Sequence, residues 1–235
     1  MKFIILSIFI SIQIFAMGLP TEYYKIKDTK EMKKYFISYI LNITKKENNH
    51  ILRDRYFIKN IYPNISKIPK DSYNYKRFLD IKKRYKLSDK STLKDYLKTI
   101  DVIPNSLVIA QAIVESGWGR SRFTKQANNI FGQWTWSGKG LTPANRDAGK
   151  KHMIKIFPSI EASVKGYMIN LNLGWGYKDF RTLRVKIRKG NKEPTGIVLS
   201  DTLINYSQKR EEYVKILKNL IRRNKLLQYD KYLTI

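Results

Sequence analysis

The sequence predicts a mainly α-helical protein with a small β-hairpin lobe, and three observations carry this prediction. Apolar residues recur at intervals of three and four over several long stretches, as on one face of an amphipathic helix. Helix-start signals stand before two of these stretches, at residues 28–31 and at Ser159. Residues 133–151 are instead rich in Gly, Trp, Asn and Pro, and residues 151–157 then alternate like a strand.

The amino-terminal part of the mature chain, residues 19–100, is predicted to be a basic helical region. Asp28-Thr29-Lys30-Glu31 has the pattern of a capping box, in which an acceptor side chain satisfies the free N–H groups of the first turn. The predicted elements are helices over 29–46 and 48–61, a loop over 62–75, and two further helices around 78–85 and 93–100. Aromatic residues at helical spacing in this region indicate core packing rather than ligand contacts.

The most informative helix begins near Pro104 and ends at Gly117. Proline suits a first helical turn because its missing N–H would have no helical partner there. Gln111 and Glu115 are four residues apart and share a face, next to the apolar face of the helix. Gly117 and Gly119 are natural helix stops. Glu115 is therefore predicted to lie in the last turn.

This placement predicts a raised pKa for Glu115. The carboxylate would lie at the negative end of the helix dipole and among apolar neighbours, and both disfavour its charged form. A carboxylic acid that keeps its proton near neutral pH can protonate a glycosidic oxygen. The alternative is an ordinary surface glutamate. The nearby Ser116-Gly117-Trp118-Gly119 and Asn128-Asn129-Ile130-Phe131-Gly132 segments favour the site interpretation.

The remaining elements follow from local signals. They are a helix over 121–127, a loop or hairpin over 133–151, a strand over 151–157, a helix from the N-cap Ser159 to Leu171, and a helical tail from Ser200. The carboxyl-terminal part, residues 101–235, is predicted to be one domain that ends in these helices.

Composition restricts the chemistry. The chain of 235 residues has 46 Lys plus Arg against 19 Asp plus Glu, a formal charge of +27. It has no cysteine and only two histidines, so we expect no disulfide, no metal site and no cofactor. Such a charge favours polyanionic partners: nucleic acid, an anionic membrane surface or an acidic cell wall.

The amino terminus favours the wall or membrane surface. Met1-Lys2 is followed by an apolar run from Phe3 to Ala16 and then small residues, the pattern of an export signal over residues 1–18. The run is shorter than the ~20 apolar residues of a comfortable membrane span. We expect an exported protein of the periplasm or cell envelope, or one that stays membrane-associated through an uncleaved segment. Nucleic acid is not an expected partner, and the sequence does not predict an oligomeric state.

Four groups of residues resemble the bacterial glucosaminidase family. They are Glu115-Ser116-Gly117-Trp118-Gly119, Asn128-Asn129-Ile130-Phe131-Gly132, Phe157-Pro158-Ser159 and Tyr167-Met168-Ile169-Asn170-Leu171-Asn172. Ser121-Arg122-Phe123, Gly132-Gln133-Trp134, the segment 146–152 and Tyr206-Ser207 are similar to its Bax-like branch. The resemblance runs from about Lys33 to Leu226. It implies a lysozyme-like helical fold with a β-lobe beside a cleft, hydrolysis of the β-1,4 bond after N-acetylglucosamine in peptidoglycan, and Glu115 as the general acid.

The second catalytic group is left open between two alternatives. Family enzymes usually carry another carboxylate in the β-lobe, and Asp147 lies in the loop before the predicted strand. Glu161 follows the N-cap Ser159, where an acid stabilises the helix dipole, so we interpret it as structural. Alternatively the acetamido group of the sugar supplies the nucleophile. Tyr167 would then orient that group, with Asn170 one turn further on the same face.

The predicted substrate contacts surround Glu115. Trp134 and Trp136 alternate around Thr135, so in an extended segment both rings project the same way and offer a platform for sugar stacking. His152 is interpreted as structural. The full set of predicted substrate-binding residues is Gln111, Trp118, Asn129, Phe131, Trp134, Trp136 and Asn170.

The leading hypothesis is an exported peptidoglycan hydrolase. A lytic transglycosylase is the alternative among enzymes, since it needs a similar fold and a single acid. A catalytically silent wall-binding protein and a basic nucleic-acid binder are alternatives from other classes. Hydrolysis adds water to the product, whereas transglycosylation leaves a 1,6-anhydro end.

Overall fold

A computed structural model describes residues 18–137, 139–143, 149 and 151–231. The predicted signal segment up to Met17 and the candidate Asp147 lie outside these residues. The described chain is mainly α-helical with one two-stranded sheet, which confirms the predicted fold class. Its helices are α1 (Thr21–Lys25), α2 (Thr29–Ile61), α3 (Tyr73–Arg84), α4 (Leu93–Thr99), α5 (Asn105–Ser116), α6 (Arg122–Ala127), α7 (Ile160–Leu173), α8 (Lys178–Lys189), α9 (Gly196–Ser200) and α10 (Arg210–Arg223).

Helix α2 corrects the prediction of two separate helices over 29–46 and 48–61. It runs unbroken for 33 residues, since no Gly or Pro interrupts it. Asn48, placed at the predicted break, is buried and its amide is fully used: Nδ2 donates to the carbonyl of Ile103 at 2.8 Å and Oδ1 accepts from the N–H of Ile103 at 3.0 Å. The predicted N-cap is found, since Asp28 accepts from the N–H of Glu31 at 2.7 Å.

Helix α5 is the central element of the core. Every residue from Asn105 to Ile113 is buried, because α2, α9 and α10 pack around it. The apolar core joins residues of the amino-terminal region, such as Phe36 and Ile81, to Leu107 and Leu171 of the carboxyl-terminal part. The core therefore crosses residue 100 without a break, and the predicted boundary at 101 stays a sequence prediction.

The β-lobe is a short antiparallel pair, β1 (Trp134–Thr135) and β2 (Met153–Ile154), with Trp134 opposite Ile154 and Thr135 opposite Met153. The regular strand is shorter than the predicted 151–157. Leu141 extends the pairing, because it exchanges two backbone hydrogen bonds with Ile154 at 2.9 and 2.8 Å. The lobe thus lies between α6 and α7, as the sequence predicts.

The α8 and α9 helices were not predicted from the sequence. Arg184 of α8 is fully buried, and its guanidinium donates to the carbonyls of Asp101 (3.1 Å) and Val102 (2.9 Å) and to Asn172 Oδ1 (2.8 Å). Arg188 adds two hydrogen bonds to the carboxylate of Asp101, at 2.7 and 2.8 Å. Phe180, Leu183 and Ile187 of α8 lie at helical spacing, and the buried Arg184 occupies a position on the same side of the helix. The hydrogen bonds of Arg184 and Arg188 fix the segment that leads into α5.

Short 3-10 turns complete the chain at Tyr62–Lys67, Trp175–Tyr177, Asp201–Leu203 and Leu226–Tyr229. The predicted helical tail is found, with its main helix α10 beginning at Arg210 rather than Ser200. Among the described residues, every helix is too short or too polar to cross a membrane.

Candidate active site

A groove of about 1050 Å³ runs between the β-lobe, α7 and the turn that follows α7. Glu115 lies in it, at the end of α5. Trp134 and Trp136 line it on the lobe, Asn170 lines it on α7, and Trp175 and Tyr206 lie on the carboxyl-terminal side. Among its described residues, the groove therefore combines one carboxyl group with several aromatic rings and amide groups.

Glu115 occupies the last turn of α5, as the sequence predicts. The helix ends at once because Gly117 adopts the left-handed conformation, with φ of 55°. Burial raises the pKa of the Glu115 carboxyl, and a hydrogen bond from the Tyr213 hydroxyl acts against this rise. The net direction is upward, which agrees with the predicted direction.

A chain of hydrogen bonds leads to Glu115 from below the groove. The Tyr167 hydroxyl donates to Gln111 Oε1, Gln111 Nε2 donates to the Tyr213 hydroxyl at 2.9 Å, and this hydroxyl donates to Glu115 Oε1 at 2.7 Å. The chain has one direction, because an amide nitrogen can only donate and a tyrosine has a single proton to give. Oε1 is thus occupied as an acceptor, which leaves Oε2 to carry a transferable proton.

Gln111 and Tyr167 do not face the groove, which corrects their predicted roles in direct substrate contact. Gln111 is fully buried and Tyr167 is 2% exposed. The Tyr167 ring stacks on Phe131 with centroids 3.9 Å apart, and burial raises the pKa of the Tyr167 hydroxyl well above its usual range. Both residues form a layer beneath the groove and reach the acid through Tyr213. Phe131 is also buried, but it reaches the groove wall.

Asn129 is a second correction among the predicted substrate contacts. Its amide is buried at the base of the lobe, where Nδ2 donates to the carbonyls of Gln133 and Lys155, each at 2.8 Å. Its Oδ1 accepts from the N–H of Gln133 at 2.9 Å. Asn129 thereby joins the two ends of the hairpin, and it is not among the residues that line the groove.

Trp118 is the third correction. Its ring packs edge-on against Phe36 of α2 with centroids 5.7 Å apart, and its backbone carbonyl accepts a hydrogen bond from Tyr23. The reason is the turn after α5, in which Gly117, Trp118 and Gly119 all have positive φ. This turn carries the indole toward α2 rather than toward the groove.

The structure brings Trp134, Trp136 and Asn170 to the groove, where the sequence places them. The two indoles are 54% and 72% exposed and meet edge to face at 6.2 Å. His152 stacks on Trp134 at 4.4 Å and so supports this ring, consistent with the structural role predicted for it. Their contact with sugar stays a prediction.

Sequence reasoning missed three aromatic residues of the groove: Trp175, Tyr177 and Tyr206. Tyr206 stacks on Tyr213 at 5.3 Å, and Tyr177 lies 6.4 Å from Tyr206. Burial raises the pKa of both hydroxyls, and the charge of Glu115 raises it further. Tyr206 could have been found, since Tyr206-Ser207 is one of the family motifs. The signal for Trp175 is only its position between two glycines.

Comparison with known proteins decides the family. The family model described as mannosyl-glycoprotein endo-beta-N-acetylglucosaminidase matches residues 90–226, which include all the groove aromatics and Glu115. The chain belongs to the glucosaminidase family. This confirms the resemblance seen in the motifs and the predicted enzyme class, a glycoside hydrolase. The lysozyme-like character of the fold is what this family membership implies.

Two relatives are similar to this glucosaminidase. Protein bax of Escherichia coli (strain K12) is 34% identical over 142 residues, which are 58% of this chain and 50% of the relative. The chain thus spans about half the length of the curated relative that it matches. The catalytic domain of the autolysin Auto from Listeria monocytogenes is 22% identical, with a TM-score of 0.40 over 75% of this chain and 86% of that domain.

Proposed function

We propose that this protein is an exported peptidoglycan hydrolase that cleaves the β-1,4 bond after N-acetylglucosamine, with Glu115 as its general acid. The observation that carries the proposal is the environment of Glu115. Burial raises the pKa of its carboxyl, Tyr213 donates a hydrogen bond to one carboxyl oxygen, and the residue lines the groove. Membership of the glucosaminidase family supports the choice of bond.

The chemistry follows from this geometry. The protonated carboxyl of Glu115 gives its Oε2 proton to the glycosidic oxygen, and the C1–O bond breaks with its electron pair on that oxygen. Positive charge develops on the sugar ring. The Glu115 carboxylate formed in this step is stabilised by the hydrogen bond from Tyr213, because a donor favours the charged form of a carboxyl.

The nucleophile or base that completes the reaction is either Asp147 or the acetamido group of the sugar. Among the described residues that line the groove, Glu115 is the only carboxylic acid. Asp147 lies outside the described residues and keeps its place as a candidate. Tyr167, buried against Gln111, acts on Glu115 through the hydrogen-bond chain rather than on the sugar, so an acetamido mechanism would use the groove residues instead.

The single described acid also supports the second candidate function, a lytic transglycosylase. In that reaction the 6-hydroxyl of the sugar, rather than water, attacks C1. Analysis of fragments released from peptidoglycan sacculi distinguishes the two reactions by mass, since an anhydro product is lighter by one water molecule. Fragments with a reducing N-acetylglucosamine end support the proposed hydrolase, and anhydro ends contradict it.

The test of the acid compares Glu115→Gln with Glu161→Gln on the same sacculi. The amide of glutamine has the shape of the carboxyl but no acidic proton, so we expect at least a ~10²-fold loss of turnover. Glu161, on α7, accepts a hydrogen bond from Tyr39 at 3.4 Å and does not line the groove, so its variant should keep normal activity. A folded Glu115→Gln protein with most of its activity would remove Glu115 from this role.

The same assay addresses Asp147. A strong loss in Asp147→Asn supports a second carboxylate, and a mild loss supports the acetamido mechanism. Export is proposed from the apolar run that follows Met1-Lys2, together with peptidoglycan strands and an anionic envelope surface as partners. Fractionation of cells that express the chain with and without residues 2–17 tests this location.

A further inference from the structure

Trp175 is the most exposed large apolar side chain of the described residues, at 92%. It lies in the 3-10 turn between α7 and α8, between Gly174 and Gly176, and it lines the same groove as Glu115. The exposed indole is available to a ligand in the groove, and covering it would remove apolar surface from water.

The turn that carries Trp175 is firmly anchored. The N–H of Gly174 donates to the carbonyl of Asn170 at 2.6 Å, and the carbonyl of Gly174 accepts from Arg181 at 2.9 Å and from the N–H of Tyr177 at 3.1 Å. A Cβ at Gly174 would lie 2.7 Å from the carbonyl oxygen of Asn170, so only glycine fits. An exposed ring on a fixed turn can bind a ligand with little loss of conformational freedom.

The position of Trp175 relative to the other groove residues follows from α7. Gly166 of this helix meets the lobe, since a Cβ there would lie 3.3 Å from Gln133 Oε1 and 3.1 Å from the Phe157 ring. The rise of 1.5 Å per residue places the end of the helix at Leu173 about 10 Å further along. Trp175 therefore follows the end of α7 that points away from the contacts of Gly166 with Gln133 and Phe157, and it lines the same groove as Trp134 and Trp136. Tyr177 lies two residues beyond Trp175; burial raises the pKa of its hydroxyl, and the charge of Glu115 raises this pKa further.

We propose that Trp175 is a second sugar-stacking platform, so that the groove binds a glycan of several sugars with aromatic contacts from both the lobe and Trp175. This rests on the proposed function, since it takes the groove to be a glycan site. The apolar face of a pyranose ring covers an indole well, and its equatorial hydroxyl and acetamido groups stay free for amides such as that of Asn170.

The test measures binding of β-1,4-linked N-acetylglucosamine oligomers by calorimetry, in the inactive Glu115→Gln protein. The quantity compared is the gain in affinity from disaccharide to hexasaccharide, because only the longer oligomer is expected to contact both Trp175 and the rings of the lobe. We expect Trp175→Ala to reduce this gain by up to about tenfold, the size of one aromatic contact. Trp175→Phe should retain most of it. Tyr73→Ala, which removes an aromatic ring that is 77% exposed outside the groove, should leave it unchanged.

Two results would overturn the proposal. One is an equal gain in affinity with and without the Trp175 indole. The other is that Trp175→Ala leaves oligosaccharide binding unchanged and instead lowers binding to anionic phospholipid vesicles, which would make this ring a membrane contact. Failure of the proposed function is seen separately, as absence of fragments when the wild-type protein is incubated with sacculi. Because the side chain of Trp175 is exposed, its loss leaves no cavity, and an unchanged thermal transition verifies the fold.

Discussion

Removal of one hydroxyl group, in Tyr213→Phe, should shift the pH dependence of wall cleavage. Tyr213 is 3% exposed, and its hydroxyl donates to Glu115 Oε1 at 2.7 Å. This bond lowers the pKa of Glu115 against the rise that burial causes. Without it the ionised carboxyl loses a donor, and its pKa rises further.

The size of the shift follows from the strength of such a bond. A hydrogen bond to a charged group is worth about 1.5–3 kcal/mol, and the lower end applies because Glu115 is only half-buried beside an open groove. One pKa unit corresponds to about 1.4 kcal/mol, so we expect a rise of about one unit. Catalysis needs the protonated acid, so the alkaline limb of the pH–rate profile should move up by about one pH unit.

The assay is the initial rate of fragment release from sacculi across the pH range, for wild type and for both Tyr213→Phe and Tyr206→Phe. Tyr206 is a matched control, since its ring stacks on Tyr213 but Glu115 accepts from Tyr213. Loss of the Tyr206 hydroxyl can change the maximal rate, but the alkaline limb of the pH–rate profile should stay at the same pH. An alkaline limb that stays fixed or moves down in folded Tyr213→Phe refutes the assignment of the limb to Glu115.

Two further predictions concern buried and surface charge. Asp101 is fully buried and forms ion pairs with Arg184 and Arg188; burial raises the pKa of its carboxyl, but the positive charges of these arginines outweigh this and hold it below the usual value. This stabilisation is present above the unfolded-state pKa near ~3.9 and is lost as the pH falls below it. Asp101→Asn should therefore lower the free energy of unfolding, measured with denaturant at neutral pH, by about 3–5 kcal/mol. As a control, Asp89→Asn changes a side chain that is 98% exposed and should lower it by less than about 1 kcal/mol. Equal decreases in the two variants would contradict this prediction. The charge of +27 should make binding of the Glu115→Gln protein to sacculi weaken steeply as salt is raised, because attraction between exposed charges is screened over ~8 Å at physiological ionic strength. Constant binding across that range would instead indicate recognition by the groove alone.

Helical periodicity predicted the helices in which apolar residues recur at intervals of three and four. The helix around Glu115 and the helix that follows Ser159 are found with nearly the predicted ends. The boundary between two helices at residue 47 was wrong, because the buried Asn48 lies inside α2 and its amide is satisfied by Ile103. Helix α8 was not predicted, although Phe180, Leu183 and Ile187 lie at helical spacing.

The site was predictable where the residue types were exceptional for their position. Glu115 at the end of an apolar helix and the alternating Trp134 and Trp136 are of this kind. Gln111 lies one turn before Glu115 on α5, and Tyr167 lies one turn before Asn170 on α7, as the spacing predicts. The spacing does not indicate whether these side chains point to solvent or to another buried polar residue. The direction of Trp118 depends on three consecutive positive φ angles, which no spacing rule expresses.

The burial of α5 on all sides has a consequence for how this enzyme can diversify. A change that moves the backbone at Glu115 must also move the helix that the core surrounds, so core packing fixes the position from which this side chain extends. Trp134, Trp136 and Trp175 are attached at the periphery, where replacement leaves the core intact. Under the proposed function, glycan preference can therefore change at these three rings of the groove while Glu115 keeps its position.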